Sequence, residues 1–122
     1  MAKDMRISLL LDFYGDMLTD KQRDVVDLYY NDDLSLSEIA ENEGITRQGV
    51  RDSLKRAEGQ LLEMEQRLGL AARFRTMQEA FSSIRRAARD IQEFNARFGY
   101  SRDIDDRAQT IADLAQRLGE EG

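Results

Sequence analysis

The sequence predicts an all-α protein, and three observations carry that prediction. Its 122 residues contain no Pro, so no helix interior is interrupted by a ring lacking an amide hydrogen. Ala, Leu, Arg, Glu and Gln, all good helix formers, are abundant. Apolar residues recur at alternating spacings of three and four along most of the chain, with Gly or Asn at the breaks.

Residues 4–14 (DMRISLLLDFY) are apolar almost all round, which predicts a buried first helix ended by Gly15. Thr19 and Gln22 have capping-box spacing and open a second helix, reaching about Tyr30, with Val25, Val26, Leu28 and Tyr29 inward. Asn31 suits a left-handed terminator, and the following NDD makes a loop.

Residues 35–56, SLSEIAENEGITRQGVRDSLKR, hold two short helical runs around a tight turn. Ser35 and Glu38 form a second capping box, with Leu34 and Ile39 at staple positions. Thr46 caps the next run, with Ile45 and Val50 as its staple. Gly44 supplies positive φ between them. Ile39, Ala40, Ile45, Val50 and Leu54 form the expected buried side. Caps, turn and apolar spacing agree within one window, which is how a helix-turn-helix (36–56) is written. Its second helix presents Thr46, Arg47, Gln48, Arg51, Lys55 and Arg56 outward as candidate nucleic-acid contacts. The plainer alternative is two capped helices in a bundle.

That helix does not stop at residue 56. Val50, Leu54, Ala57, Leu61, Met64 and Leu68 keep one seam to Gly69, passing Gly59 at a cost of about 1 kcal/mol relative to Ala. Residues 47–68 then span roughly 33 Å. A longer helix follows over about 71–98, with Phe74, Met77, Phe81, Ile84, Ala88, Ile91 and Phe98 in a seam and Phe94 beside it. Gly99 stops it. A last amphipathic segment from Asp103 places Ile104, Ala108, Ile111, Ala115 and Leu118 inward. The organisation expected is a four-helix domain over 1–68 and a helical arm over 69–122. The seams offer more apolar surface than a monomer of this size usually exposes, so a homodimer is expected.

Net charge is −6, yet its distribution is uneven. Residues 12–43 carry ten carboxylates against Lys21 and Arg23. Residues 47–56 hold Arg47, Arg51, Lys55 and Arg56 against Asp52. Residues 73–89 hold Arg73, Arg75, Arg85, Arg86 and Arg89 against Glu79, a run that reads most simply as a solvated face. There is no Cys and no His. This removes disulfides, thiolate sites and imidazole catalysis, so an enzyme is the least expected class and no cofactor or metal is predicted. No apolar stretch approaches roughly 18 residues, so neither export nor a membrane span is indicated, and a cytoplasmic location is expected.

The run from Leu9 to Leu68 resembles the YlxM family of small bacterial helix-turn-helix proteins. The similarity lies in DFY at residues 12–14, LTDKQ at 18–22, LYYNDDLSLSEIAE at 28–41 and TRQGVRDSLKRAE at 46–58. Gly49 and Arg51 depart from it, standing where Ala and Tyr are more usual. The later arm agrees only in being helical and in an FRTMQEAF-like segment. The resemblance implies a fold related to the DNA-binding region four of sigma factors, and an association with the signal recognition particle pathway. It therefore implies binding to that particle's RNA or to its GTPase. The residues by themselves leave open a dimeric DNA-binding transcription regulator, and also a protein-interaction module.

Overall fold

The computed structural model describes residues 3–121. Its helices are α1 (Arg6–Tyr14), α2 (Asp20–Tyr30), α3 (Leu36–Glu43), α4 (Arg47–Leu68), α5 (Leu70–Arg97) and α6 (Arg102–Glu121). A 3-10 turn covers Gly15–Met17, and no strand occurs among the described residues. The chain divides after Ala71 into two compact units, so α5 starts in the first and runs through the second.

In the first unit α4 packs against α1, α2 and α3. The core joins Ile7, Leu10, Leu11 and Tyr14 of α1 to Val25, Val26, Tyr29 and Tyr30 of α2. Ile39 and Ala40 of α3 and Val50, Leu54, Ala57 and Leu61 of α4 complete it. The starts of α2, α3 and α4 are capped by side chains. Thr19 and Ser35 form full capping boxes with Gln22 and Glu38. Thr46 Oγ1 accepts the Gly49 amide at 3.0 Å. The Ser35 amide, with its hydroxyl, holds the Glu38 carboxyl below its ordinary range. Gly44 adopts φ 68° and Gly69 φ 63°, closing α3 and α4 in the left-handed region. α4 runs through Gly59 without a break.

α1 ends at Gly15 as expected, with Gly15 right-handed at φ −56° and carrying the chain into the 3-10 turn. Three expectations for this unit need correction. α1 is buried on one face only: Leu9 is 37% exposed and Asp12 faces solvent. Asn31 is right-handed, and Asp33 takes positive φ instead, at 54°. The reason lies in its side chain: Asn31 Nδ2 donates to Asp27 Oδ1 at 2.6 Å, while Ser8 of α1 donates to Asn31 Oδ1 at 2.6 Å. Finally, Leu68 leaves the α4 seam and is exposed.

Two tyrosines fasten α4 in a way that apolar periodicity cannot reveal. The Tyr30 hydroxyl donates to Glu58 Oε1 at 2.8 Å, and the Tyr14 hydroxyl donates to Glu65 Oε1 at 2.7 Å. Burial, reinforced by Glu58, pushes the Tyr30 pKa up to about 12. Burial and Glu65 raise that of Tyr14 as well. At the Gly69 turn, the Tyr14 oxygen accepts the Leu70 amide and Glu65 accepts the Ala71 amide, so two orphan donors at the start of α5 are satisfied.

In the second unit α5 and α6 form an antiparallel hairpin. Asn95, buried, donates to the Ser101 carbonyl at 2.8 Å and accepts the Ser101 amide at 3.0 Å, clasping the corner. Farther along, Gln92 donates to Gln109 at 3.0 Å and Gln78 donates to the Gly119 carbonyl at 2.6 Å. The buried apolar residues are all alanines: Ala88, Ala108, Ala112 and Ala115. Ala108 and Ala115 thus lie inward as expected, but Ile104, Ile111 and Leu118 do not, being 42–48% exposed. On α5, Met77, Ile84 and Ile91 are likewise exposed, and Phe98, expected to close this helix's seam, lies just past its end at 76%. Small side chains allow close helix approach, so the alanine stripe turns inward and the larger residues are left outside.

Candidate nucleic-acid interface

α4 offers a surface because one of its faces is sealed. Val50, Leu54, Ala57 and Leu61 are all 0% exposed, which fixes the rotation of the helix and leaves the opposite arc in solvent. α3, ended by Gly44 and its bond from the Ile45 amide to the Ala40 carbonyl at 3.0 Å, sets the angle at which α4 begins.

The six residues singled out in the sequence do not form one cluster. Thr46 is the cap itself, its hydroxyl oxygen engaged by the Gly49 amide. Arg47, Arg51 and Lys55 are exposed and lie along one flank, since each step of four residues turns only about 40°. Gln48 and Asp52 form the crest beside them, with Gln48 Nε2 donating to Asp52 Oδ1 at 2.9 Å. Arg56 falls on the far flank, about 100° beyond Lys55. There it lines a groove of about 390 Å³ with Lys21, Gln22, Gly49, Asp52 and Ser53.

Lys21 is not among the candidate site residues of the sequence, although it sits in the LTDKQ run; the packing of α2 on α4 brings it to the groove of Arg56. A Cβ at Gly49 would lie 3.2 Å from the capping Thr46 Oγ1, a tight contact that a small shift of the Thr46 side chain must relieve.

The electrostatic pattern is one of unsatisfied cations. Lys3, Arg6, Arg23, Arg67, Arg97 and Arg102 each pair with a carboxylate. Among the described residues, Arg47, Arg51, Lys55 and Arg56 pair with none. Exposed guanidinium and ammonium groups in such a row can meet successive phosphates. Arg47 and Arg51, near the N-terminus of α4, stand where a recognition helix reaches base edges.

These features define a helix-turn-helix protein: a short capped helix, a left-handed glycine, and a second helix with one sealed and one cationic face. Comparison with known sequences gives the family. The profile of the UPF0122 family, described as "Putative helix-turn-helix protein, YlxM / p13 like", matches residues 1–99. The chain belongs to that family. A UPF0122 protein of Desulforamulus reducens is 52% identical over 74 residues, covering 61% of this chain and 63% of that protein. The aligned part is thus just under two thirds of that relative's length. A UPF0122 protein of Clostridium kluyveri is 48% identical over 79 residues, covering 65% and 71%. One from Shouchella clausii is 42% identical over 96 residues, covering 79% and 88%. The matched residues take in the helix-turn-helix and the whole of α5; α6 lies beyond them. No helix of the described residues is long and apolar enough to cross a membrane.

Proposed function

We propose that the chain is a cytoplasmic regulatory or accessory protein of the signal recognition particle pathway that binds nucleic acid through α4 and acts as a homodimer. The observation carrying the binding is the exposed flank of Arg47, Arg51 and Lys55, unpaired on a helix whose opposite face is sealed. The particle's RNA is the preferred target because folded RNA is met chiefly through backbone and shape, which scattered cations suit. The link to the particle, including its GTPase as a further partner, rests on the YlxM resemblance.

The homodimer rests on the second unit. The half-exposed Met77, Ile84 and Ile91 of α5 and Ile104, Ile111 and Leu118 of α6 each recur every seven residues. In an antiparallel hairpin zipped by its alanines, both rows fall on the same broad side. Two 20-residue helices side by side offer a footprint of roughly 600 Å², on the scale of the roughly 800 Å² per partner of a stable interface. A second copy presenting the same rows completes a four-helix bundle.

A second reading, a dimeric transcription regulator of duplex DNA, is favoured by the position of Arg47 and Gln48 at the start of α4, where guanine and adenine edges are within reach in a major groove. Titration of particle RNA and of operator-length duplex DNA against the chain separates the two. Tight RNA binding weakened about tenfold or more by Arg47→Ala with Arg51→Ala is the expected result. Preference for one DNA sequence over folded RNA would favour the regulator. Binding of neither at 50 mM salt would overturn both.

A further inference from the structure

α5 is two-faced. Its apolar row of Met77, Ile84 and Ile91 lies on one side, and Arg75, Arg85, Arg86 and Arg89 fall within about 100° of arc on the side away from it. All four are exposed. Among the described residues none of them pairs with a carboxylate, although the same unit pairs Arg97 with Glu93 at 3.0 Å and Arg102 with Asp106 at 4.0 Å. Arg86 bonds only Ser83 of its own helix, at 3.3 Å, and Arg89 is held by Gln92 and Gln109. Glu79 is the single acidic residue between positions 73 and 89.

A guanidinium that has carboxylates available on its own chain and engages none of them retains its full capacity for an external anion. Four of them between residues 75 and 89 span about 21 Å, the reach of several successive phosphates. Glu120 of α6 lines the same groove as Arg85, and Glu79 of α5 lines another with Arg86, so four guanidiniums face two carboxylates there; Arg75 and Arg86 are the members that lie away from α6. We propose that this arginine side of α5 is a second nucleic-acid site, separate from α4, which grips the phosphate backbone without reading bases. Because the apolar row lies on the other side of α5, pairing of two copies would leave the arginines free. The proposal shares with the functional reading only the premise that the chain meets nucleic acid.

The test is the salt dependence of binding between 50 and 200 mM for the full chain and three double variants. The ligands are an RNA hairpin and a DNA duplex of equal length. Arg75→Gln with Arg86→Gln, neither of which touches α6, should make the log–log slope shallower by about 1.8, at about 0.9 per lost phosphate contact. Arg97→Gln with Arg102→Gln makes the same change in net charge at paired positions and should leave the slope at its wild-type value. Arg47→Gln with Arg51→Gln reports on α4 alone. If only the α4 variant lowers the slope, or if the paired-position control lowers it as much, the α5 site is wrong and the functional reading stands. If only the α5 variant lowers it, the α4 reading falls and the α5 site stands. A wild-type chain that binds neither polymer at 50 mM overturns both. A larger change with RNA than with DNA assigns the backbone to RNA, and the reverse to DNA.

Discussion

The first unit withdraws Ile, Val, Leu and Tyr from solvent, with Val25, Val26, Ile39 and Leu54 fully covered; the second withdraws four alanines and one asparagine, and leaves its Ile and Leu, with Phe94 and Phe98, about half-exposed or more. Both are amphipathic helices joined by short turns, so the difference is one of completeness. Burial of a large side chain contributes roughly 1.5–3 kcal/mol and that of an alanine much less. The first unit can therefore hold itself together, whereas the hairpin gains most of its apolar stabilisation only when its outer rows are covered.

The largest effects should fall where this contrast is sharpest. Leu54→Ala opens a cavity under α4 and should lower the stability of the first unit by about 2–5 kcal/mol, read from denaturant unfolding followed by tyrosine fluorescence. Ile84→Glu with Ile111→Glu should do the reverse. The first unit's unfolding midpoint stays in place, while light scattering during size exclusion reports a monomer in place of the proposed dimer. A wild-type chain that is already monomeric at micromolar concentration would break the comparison, because the hairpin would then be stable with its rows bare.

A smaller effect is expected at the start of α4. Thr46→Ala removes the acceptor for the Gly49 amide and should cost about 1 kcal/mol, measured by thermal unfolding. No matching loss is expected from Ser82→Ala on α5, an exposed serine in the helix interior. Equal losses at both positions would mean that capping does not distinguish the two units.

What the sequence made legible was local. Thr19–Gln22, Ser35–Glu38 and Thr46 act within three residues of themselves, and Gly44 and Gly69 need only their own φ, so each could be located without knowing the neighbours. The misreadings all depended on something distant. Asn31 keeps a right-handed backbone while Ser8, 23 residues away, holds its side chain. On α6, hydropathy ranks Ile111 and Leu118 above Ala112 and Ala115, but the closeness of α5 decides the inward stripe and favours the smaller side chains. At the candidate interface the residue types were legible and their grouping was not. Lys55 and Arg56 are adjacent in sequence yet fall on different flanks, and Lys21 joins Arg56 only because α2 and α4 pack together.

The smallest effect tests a contact that belongs to the first unit alone. Tyr30, buried and donating to Glu58, has its pKa pushed up to about 12 from an ordinary value of 10.0. The neutral phenol is thus the form the fold prefers. Below pH 10 the hydroxyl is protonated in both the folded and unfolded chains, and its contribution is fully present. Between pH 10 and 12 the unfolded chain loses the proton first, so the unfolded state binds fewer protons and stability declines as pH rises. Tyr14, raised for the same two reasons, adds to the decline. Denaturant midpoints at pH 9, 10 and 11 should therefore fall in the wild type and fall less steeply in Tyr30→Phe, which has no proton to lose. A Tyr30→Phe profile as steep as wild type would place the alkaline sensitivity elsewhere and remove the Tyr30–Glu58 contact as a fastening of α4.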